Sequence, residues 1–164
     1  MLELRMSLRR TLTIPGTLAI LVVVNSFGIA QEDDSRRLAE KVDQFFENLA
    51  NPNSTATAVF NELLDGSLLA SPQSSEKLLA LLDEYKKLEP RYGAFLEAKE
   101  VDVRRVGNSL IFLTYLYKAE QFPVVWRFVY YRPPSDEPDG PDWFVVRLSF
   151  DTKIEDLAAT SRGL

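Results

Sequence analysis

The hydrophobic repeat of the chain changes its period near Gly93, and this change constrains the fold more than any other feature. Before Gly93, apolar residues recur at spacings of three and four, as they do along one face of a helix. After Gly93, they alternate every second residue within runs rich in aromatic and β-branched side chains, which is typical of strands. Helices followed by consecutive strands predict an α+β domain with its helices on one side of an antiparallel sheet.

Three helical segments are predicted before Gly93. The first covers 35–49 and carries an apolar stripe with spacings of three and four. The second begins near Thr55 and ends at Gly66, and the third opens at Ser71-Pro72, a cap followed by a proline. Pro90 is expected to stop the third helix.

Four strands are predicted after Gly93. The first contains Val101 and Val103 and ends at Gly107-Asn108, which is a hairpin signal. The other three cover the ranges Ser109–Lys118, Pro123–Arg132 and Trp143–Phe150. A capping-box spacing over 152–155 predicts a short terminal turn or helix.

Alternation sorts the strand residues into two sets, because successive side chains point to opposite faces of a sheet. The first set is large and apolar and is predicted to pack on the helices: Leu110, Phe112, Leu116, Trp126, Phe128, Tyr130, Phe144, Val146, Leu148 and Phe150. The second set mixes aromatic residues with arginine: Tyr115, Tyr117, Arg127, Val129, Tyr131, Trp143, Val145 and Arg147. A β-bulge would shift this assignment.

The second set predicts a surface for self-association or for a partner, because interfaces are enriched in tyrosine, tryptophan and arginine. The candidates are Tyr115, Tyr117, Arg127, Tyr131, Trp143 and Arg147. The alternative is a half-exposed sheet face on which arginine stems lie over aromatic rings. A homodimer is the expected partner.

Residues 1–30 have the pattern of a signal peptide. Three arginines lie in the first ten residues, residues 11–30 are uncharged, and Gly28-Ile29-Ala30 supplies small residues where a signal peptidase cleaves. Cleavage would leave residues 31–164 as a single domain, exported to the periplasm or secreted. An uncleaved membrane anchor is the alternative, but Pro15 and Gly16 dilute the apolar run.

Composition excludes several classes of chemistry. The chain has no cysteine and no histidine, which removes disulfides, thiolate nucleophiles and the commonest metal ligand. Its formal net charge of −5 argues against a nucleic-acid partner. Four acidic residues within 136–142 indicate a polar loop, since they lack the regular alternation of a calcium loop. No catalytic residue, metal ligand or cofactor site is therefore predicted.

The order of elements resembles the NTF2-like (cystatin-like) superfamily, and more narrowly its small exported bacterial members of unknown function. The resemblance is carried by Tyr92-Gly93 and by the aromatic runs at 126–131 and 143–151. It implies a curved four-stranded sheet wrapped around a helix to form a cone with an open mouth, often with dimerisation through the sheet. Because the superfamily includes enzymes and binding domains, the resemblance does not choose between them.

The resemblance implies a ligand site inside the cone, with Trp126, Phe128, Tyr130 and Tyr85 as candidates. The expected function is that of an exported non-catalytic module that binds a protein or a small apolar ligand. The alternative is an isomerase, dehydratase or cyclase using a carboxylate and a tyrosine. For this alternative, the conceivable acid–base groups are Asp43, Glu47, Tyr85 and Tyr130, although Asp43 and Glu47 lie between stripe residues and are expected to face water.

Overall fold

The structure is a computed structural model that describes residues 27–71, 74–134 and 142–160. Most of the predicted signal peptide lies outside this range, and its last four residues belong to the first helix. Its cleavage therefore stays a prediction. Most of the acidic loop within 136–142 also lies outside the described residues.

The helices precede the strands, as predicted, and the short helix predicted after the last strand is also present. They are α1 (Phe27–Ala50), α2 (Ala56–Leu63), a 3-10 helix (Leu68–Ala70), α3 (Ser75–Tyr85), α4 (Leu88–Tyr92) and α5 (Glu155–Thr160). The Thr55 hydroxyl caps α2 by accepting a hydrogen bond from the backbone N–H of Ala58. The predicted third helix is divided, and Pro90 lies within α4 instead of ending a helix. Proline is tolerated there because the first turn of a helix needs no N–H donor.

The four strands form one antiparallel sheet in sequence order. They are β1 (Phe95–Val106), β2 (Leu110–Ala119), β3 (Val124–Tyr131) and β4 (Phe144–Asp151), and each pairs with the next. The predicted α+β class and four-stranded meander are therefore confirmed.

The helices pack on one face of the sheet around Trp126. Phe45 and Phe46 of α1 make edge contacts with the Trp126 ring, with ring centroids 5.8 and 5.3 Å apart. Phe60 of α2 and Tyr85 of α3 reach the same ring. Each fully buried large side chain contributes about 1.5–3 kcal/mol, so this aromatic cluster is the main source of stability.

The predicted facing of β2 is wrong. Its buried residues are Ile111, Leu113, Tyr115 and Tyr117, whereas Leu110, Phe112 and Leu116 lie on the opposite face and are only partly buried. Tyr115 pairs with Trp126 in the β2–β3 register, and directly paired residues of antiparallel strands share a face. The length of the connection between the strands sets this register. Assigning faces by alternating odd and even residue numbers, as the sequence prediction did, does not take the register into account.

The predicted facing of β4 is correct only at its carboxyl end. Leu148 is buried and Phe150 stacks on Trp126, but Trp143 and Val145 are also buried, while Val146 and Arg147 are exposed. A register shift between Val129 and Tyr130 inserts one extra β4 residue. This bulge exchanges the two faces along the first part of the strand, so Phe144 and Val146 lie outside the core.

The opposite face of the sheet is partly covered by α5. Arg127 extends from this face and forms ion pairs with Asp151 at 2.7 Å and with Asp156 of α5 at 3.2 Å. Val125, two residues before Arg127 on the same face, is fully buried. The short terminal helix therefore returns across the end of β3.

Gly93 joins the helices to the sheet in a backbone conformation that only glycine adopts readily, with φ 87° and ψ 179°. A Cβ atom there would lie 2.8 Å from the Cβ of Glu120. We expect Gly93→Ala to lower the free energy of unfolding by about 1–3 kcal/mol in urea titrations. Gly66→Ala is the matched control, because Gly66 also has a positive φ but open space around it. Equal losses in the two variants would contradict the close approach at Gly93.

Candidate functional site

A cleft of about 620 Å³ opens between α1, α2 and the start of β4. Its volume falls within the range of small-molecule sites. Its wall is lined by the apolar and aromatic side chains of Phe45, Val59, Leu63, Tyr130 and Trp143, and the start of β4 at Phe144 borders it. Its mouth carries polar and charged residues: Lys41, Gln44, Asn48, Glu62, Asp65 and Asp142.

The two sides of the cleft are tied together through Ser67. The Ser67 side chain is buried, and its hydroxyl donates a hydrogen bond to the backbone carbonyl of Val145 in β4. The same oxygen accepts from the backbone N–H of Leu69, 3.0 Å away, at the start of the 3-10 helix. The segment after α2 is therefore fixed to the edge of the sheet, which sets the width of the cleft.

Two buried polar atoms of cleft-lining residues have no hydrogen-bond partner in the described part of the chain. They are the Tyr130 hydroxyl and the Trp143 Nε1–H group. Burial raises the pKa of Tyr130, so this hydroxyl stays protonated and can donate. An unsatisfied buried polar group costs about 1–3 kcal/mol, so a ligand atom that supplied a partner would bind favourably.

An arginine network supports Trp143 within the cleft wall. The guanidinium groups of Arg132 and Arg105 lie 4.8 and 5.4 Å from the centroid of the Trp143 ring. Both arginines donate to the carboxylate of Asp34, at 3.3 and 3.5 Å. Asp34 thus holds two cations against one aromatic ring. The Arg105 side chain is mostly buried. The sequence does not indicate this burial, because Arg105 stands beside Arg104 as one of two similar arginines.

Asp142 organises one side of the mouth. Its carboxylate forms ion pairs with Arg37 at 3.0 Å and Lys41 at 3.5 Å, and it accepts from the backbone N–H of Trp143 at 2.8 Å. Partial burial raises the pKa of Asp142, but the N–H of Trp143 and the two cations outweigh it, so the pKa lies below its ordinary value. Asp142 therefore remains charged at neutral pH.

The four residues predicted to line the cone lie in three different places in the structure. Trp126 and Phe128 are fully buried and fill the space between helices and sheet, and they line neither this cleft nor a second pocket. That second pocket, of about 460 Å³, is lined by Tyr85. Of the four, Tyr130 alone lines the larger cleft.

The six residues predicted to form the association face lie on two opposite faces of the sheet. Tyr115, Tyr117 and Trp143 are buried on the helix-covered face, which contradicts their place in that surface. The Tyr115 hydroxyl donates to the backbone carbonyl of Ala39 in α1, 3.0 Å away. Arg127, Tyr131 and Arg147 lie on the opposite face.

The helix residues that line the cleft were not singled out in the sequence. Phe45 belongs to the predicted apolar stripe of α1, but Gln44 and Asn48 flank it without any motif. Glu62 and Asp65 come together with them only because α2 packs beside α1. Asp43 and Glu47 are exposed, as expected from their positions between stripe residues.

None of the helices within residues 27–71, 74–134 and 142–160 combines the length and the apolar character needed to cross a membrane. The same residues contain no cluster of carboxylates suited to a metal ion. No protein-family model, curated protein or solved structure matches this chain with significance. The cleft therefore has to be interpreted from its own chemistry.

Proposed function

We propose that this protein is an exported, non-catalytic binding module with an NTF2-like fold, and that its cleft takes a small ligand with an apolar body. The observation that carries the proposal is an apolar cleft of about 620 Å³ in which two lining residues hold buried hydrogen-bonding groups that have no partner among the described residues. A mostly apolar wall with few polar groups is the usual composition of a ligand site.

The buried polar groups favour a ligand that carries a hydrogen-bond acceptor. The Trp143 Nε1–H group can only donate, and the protonated Tyr130 hydroxyl can donate or accept. A carbonyl or hydroxyl oxygen placed near them would relieve the cost of leaving them unpaired. The apolar part of the ligand would pack on Phe45, Val59 and Leu63.

Neither of the two shifted pKa values in the cleft is moved toward neutrality. Within the cleft, the pKa of Tyr130 is raised and that of Asp142 is lowered, so both move away from neutrality. General acid–base catalysis works best with a pKa near the operating pH. The carboxyl group of Glu100 has a raised pKa because of burial and the nearby Asp43, but Glu100 does not line the cleft.

Calorimetric titration with 1-naphthalenemethanol tests the binding function. We expect saturable binding at one site per chain, and loss of binding in Leu63→Trp, because the larger ring would fill the cleft. Leu79→Trp is the matched control, since Leu79 on α3 is 61% exposed and does not line the cleft. Unchanged binding in Leu63→Trp would overturn the assignment of the cleft.

The export part of the proposal rests on residues 1–30. We expect mass spectrometry of the exported protein to find Gln31 at its amino terminus. Recovery of the full-length chain from the membrane fraction would favour the anchor instead.

We also propose that the protein self-associates through the sheet face opposite α1 to α4. This face carries partly buried apolar residues and two arginines in addition to Arg127: Leu110, Phe112, Leu116, Val129, Tyr131, Phe144, Arg104 and Arg147. The Arg104 guanidinium lies 4.7 Å from the Phe112 ring centroid, and Tyr131 makes an edge contact with Phe144. Aromatic rings with arginine are typical of interface cores.

Sedimentation at high micromolar concentration tests this self-association. We expect a dimer for the natural protein and a monomer for Tyr131→Glu, because a carboxylate at the centre of an apolar interface is costly to bury. Phe122→Glu is the control, since Phe122 is exposed outside the strands. A monomeric natural protein would contradict the proposal.

A further inference from the structure

We infer that the cleft takes an amphiphilic organic cation, in which an aromatic or aliphatic body carries an amine. This inference rests on the proposed binding function and assigns the chemical class of the ligand. The apolar wall alone does not set the charge of the ligand, whereas the charges around the mouth do.

The mouth of the cleft carries an excess of negative charge. Among the described residues that line it, the charged ones are Lys41 and three carboxylates, those of Glu62, Asp65 and Asp142. Lys41 and Asp142 form an ion pair with each other. Glu62 and Asp65 are exposed and form no ion pair within the described part of the chain. Two carboxylates are therefore available to a cationic group.

The neighbouring cations are already engaged, which argues against an anionic ligand. Arg37 is bound to both Asp34 and Asp142, and Arg132 is bound to Asp34. An anion would have to displace a carboxylate from these side chains. An amine at Glu62 and Asp65 displaces only water.

The surrounding structure adds to the negative potential at this place. Glu62 lies in the last turn of α2 and Asp65 follows its end, where the helix dipole places partial negative charge. A net charge of −5 draws cations to the protein in general.

Three probes that share one ring system separate charge from apolar contact: 1-naphthylmethylamine, 1-naphthalenemethanol and 1-naphthoate. We expect calorimetric titration of the full exported protein to give the tightest binding for the amine, about fivefold tighter than for the alcohol, and the weakest for naphthoate. Raising the salt concentration should reduce the advantage of the amine, because the carboxylates are exposed.

The double variant Glu62→Gln, Asp65→Asn should remove the preference for the amine, so that amine and alcohol bind equally. The control double variant Glu76→Gln, Asp83→Asn makes the same change in net charge on α3, away from the cleft, and should keep the preference. Equal affinities for amine and alcohol in the natural protein, or tighter binding of naphthoate, would overturn the inference while the binding function stands. Failure of all three probes to bind would overturn both.

Discussion

Replacing Trp126 by alanine is expected to lower the free energy of unfolding by about 3–5 kcal/mol, the cost of removing a large aromatic side chain from a packed core. Trp126 is fully buried, its ring stacks on Phe150 with centroids 4.4 Å apart, and α1, α2 and α3 each contribute a ring beside it. A loss of this size is a large part of the total stability of an ordinary domain, about 5–15 kcal/mol.

Urea titration followed by far-ultraviolet circular dichroism would measure the effect of Trp126→Ala. Phe122→Ala serves as the control, because it removes an aromatic ring that is 39% exposed. A similar small loss in both variants would mean that Trp126 does not hold helices and sheet together.

Replacing Asp34 by asparagine is expected to cost about 2–3 kcal/mol, somewhat less than breaking a fully buried ion pair, because the Asp34 side chain keeps 16% exposure. The substitution removes the carboxylate that Arg37, Arg105 and Arg132 share. The two arginines that lie over Trp143 would then lose their common anchor.

Asp33→Asn is the matched control for Asp34→Asn, since it changes the adjacent residue in the same way. Asp33 is 67% exposed and pairs with the exposed Arg36 one turn further along α1, so its loss should cost less than about 1 kcal/mol. Asp34→Asn should also shift the fluorescence of Trp143, which a general loss of stability in the folded protein would not. Equal costs for the two variants, with unchanged fluorescence, would contradict the network.

The fold class and the order of the helices and strands were predictable from local sequence signals. The change of period at Gly93 separates helices from strands because each element must bury one apolar side, and Gly107 marks a hairpin at which φ is positive. The packing of Trp126 and Phe128 on the helices was predicted correctly. These features depend on residues close together in the sequence.

The facing of β2 and of the first half of β4 was not predictable in the same way. The side of the sheet to which Tyr115 points depends on its pairing with Trp126, and this pairing depends on how the chain turns between two strands. Trp143 points inward because of a β-bulge in β4, and no residue type at that position predicts the bulge. The predicted association face lost three of its six members for these two reasons.

The cleft was least predictable of all, because it forms between α1, α2 and the start of β4, which lie far apart in the sequence. Only Tyr130 was both a predicted ligand residue and a lining residue of the cleft. The acidic mouth depends on where α2 ends. In the sequence, Glu62 and Asp65 cannot be told apart from the exposed polar residues that commonly end a helix.

The two tryptophans give the most direct measurement of whether the cleft between α1, α2 and β4 is the binding site. In a proton–nitrogen correlation spectrum, each indole N–H gives one signal, and Trp143→Phe assigns them. Trp143 lines the cleft and Trp126 does not, so titration with 1-naphthalenemethanol should shift the Trp143 indole signal and leave that of Trp126 in place. A shift of the Trp126 signal alone, or no shift of either, would contradict the assignment of the cleft as the ligand site.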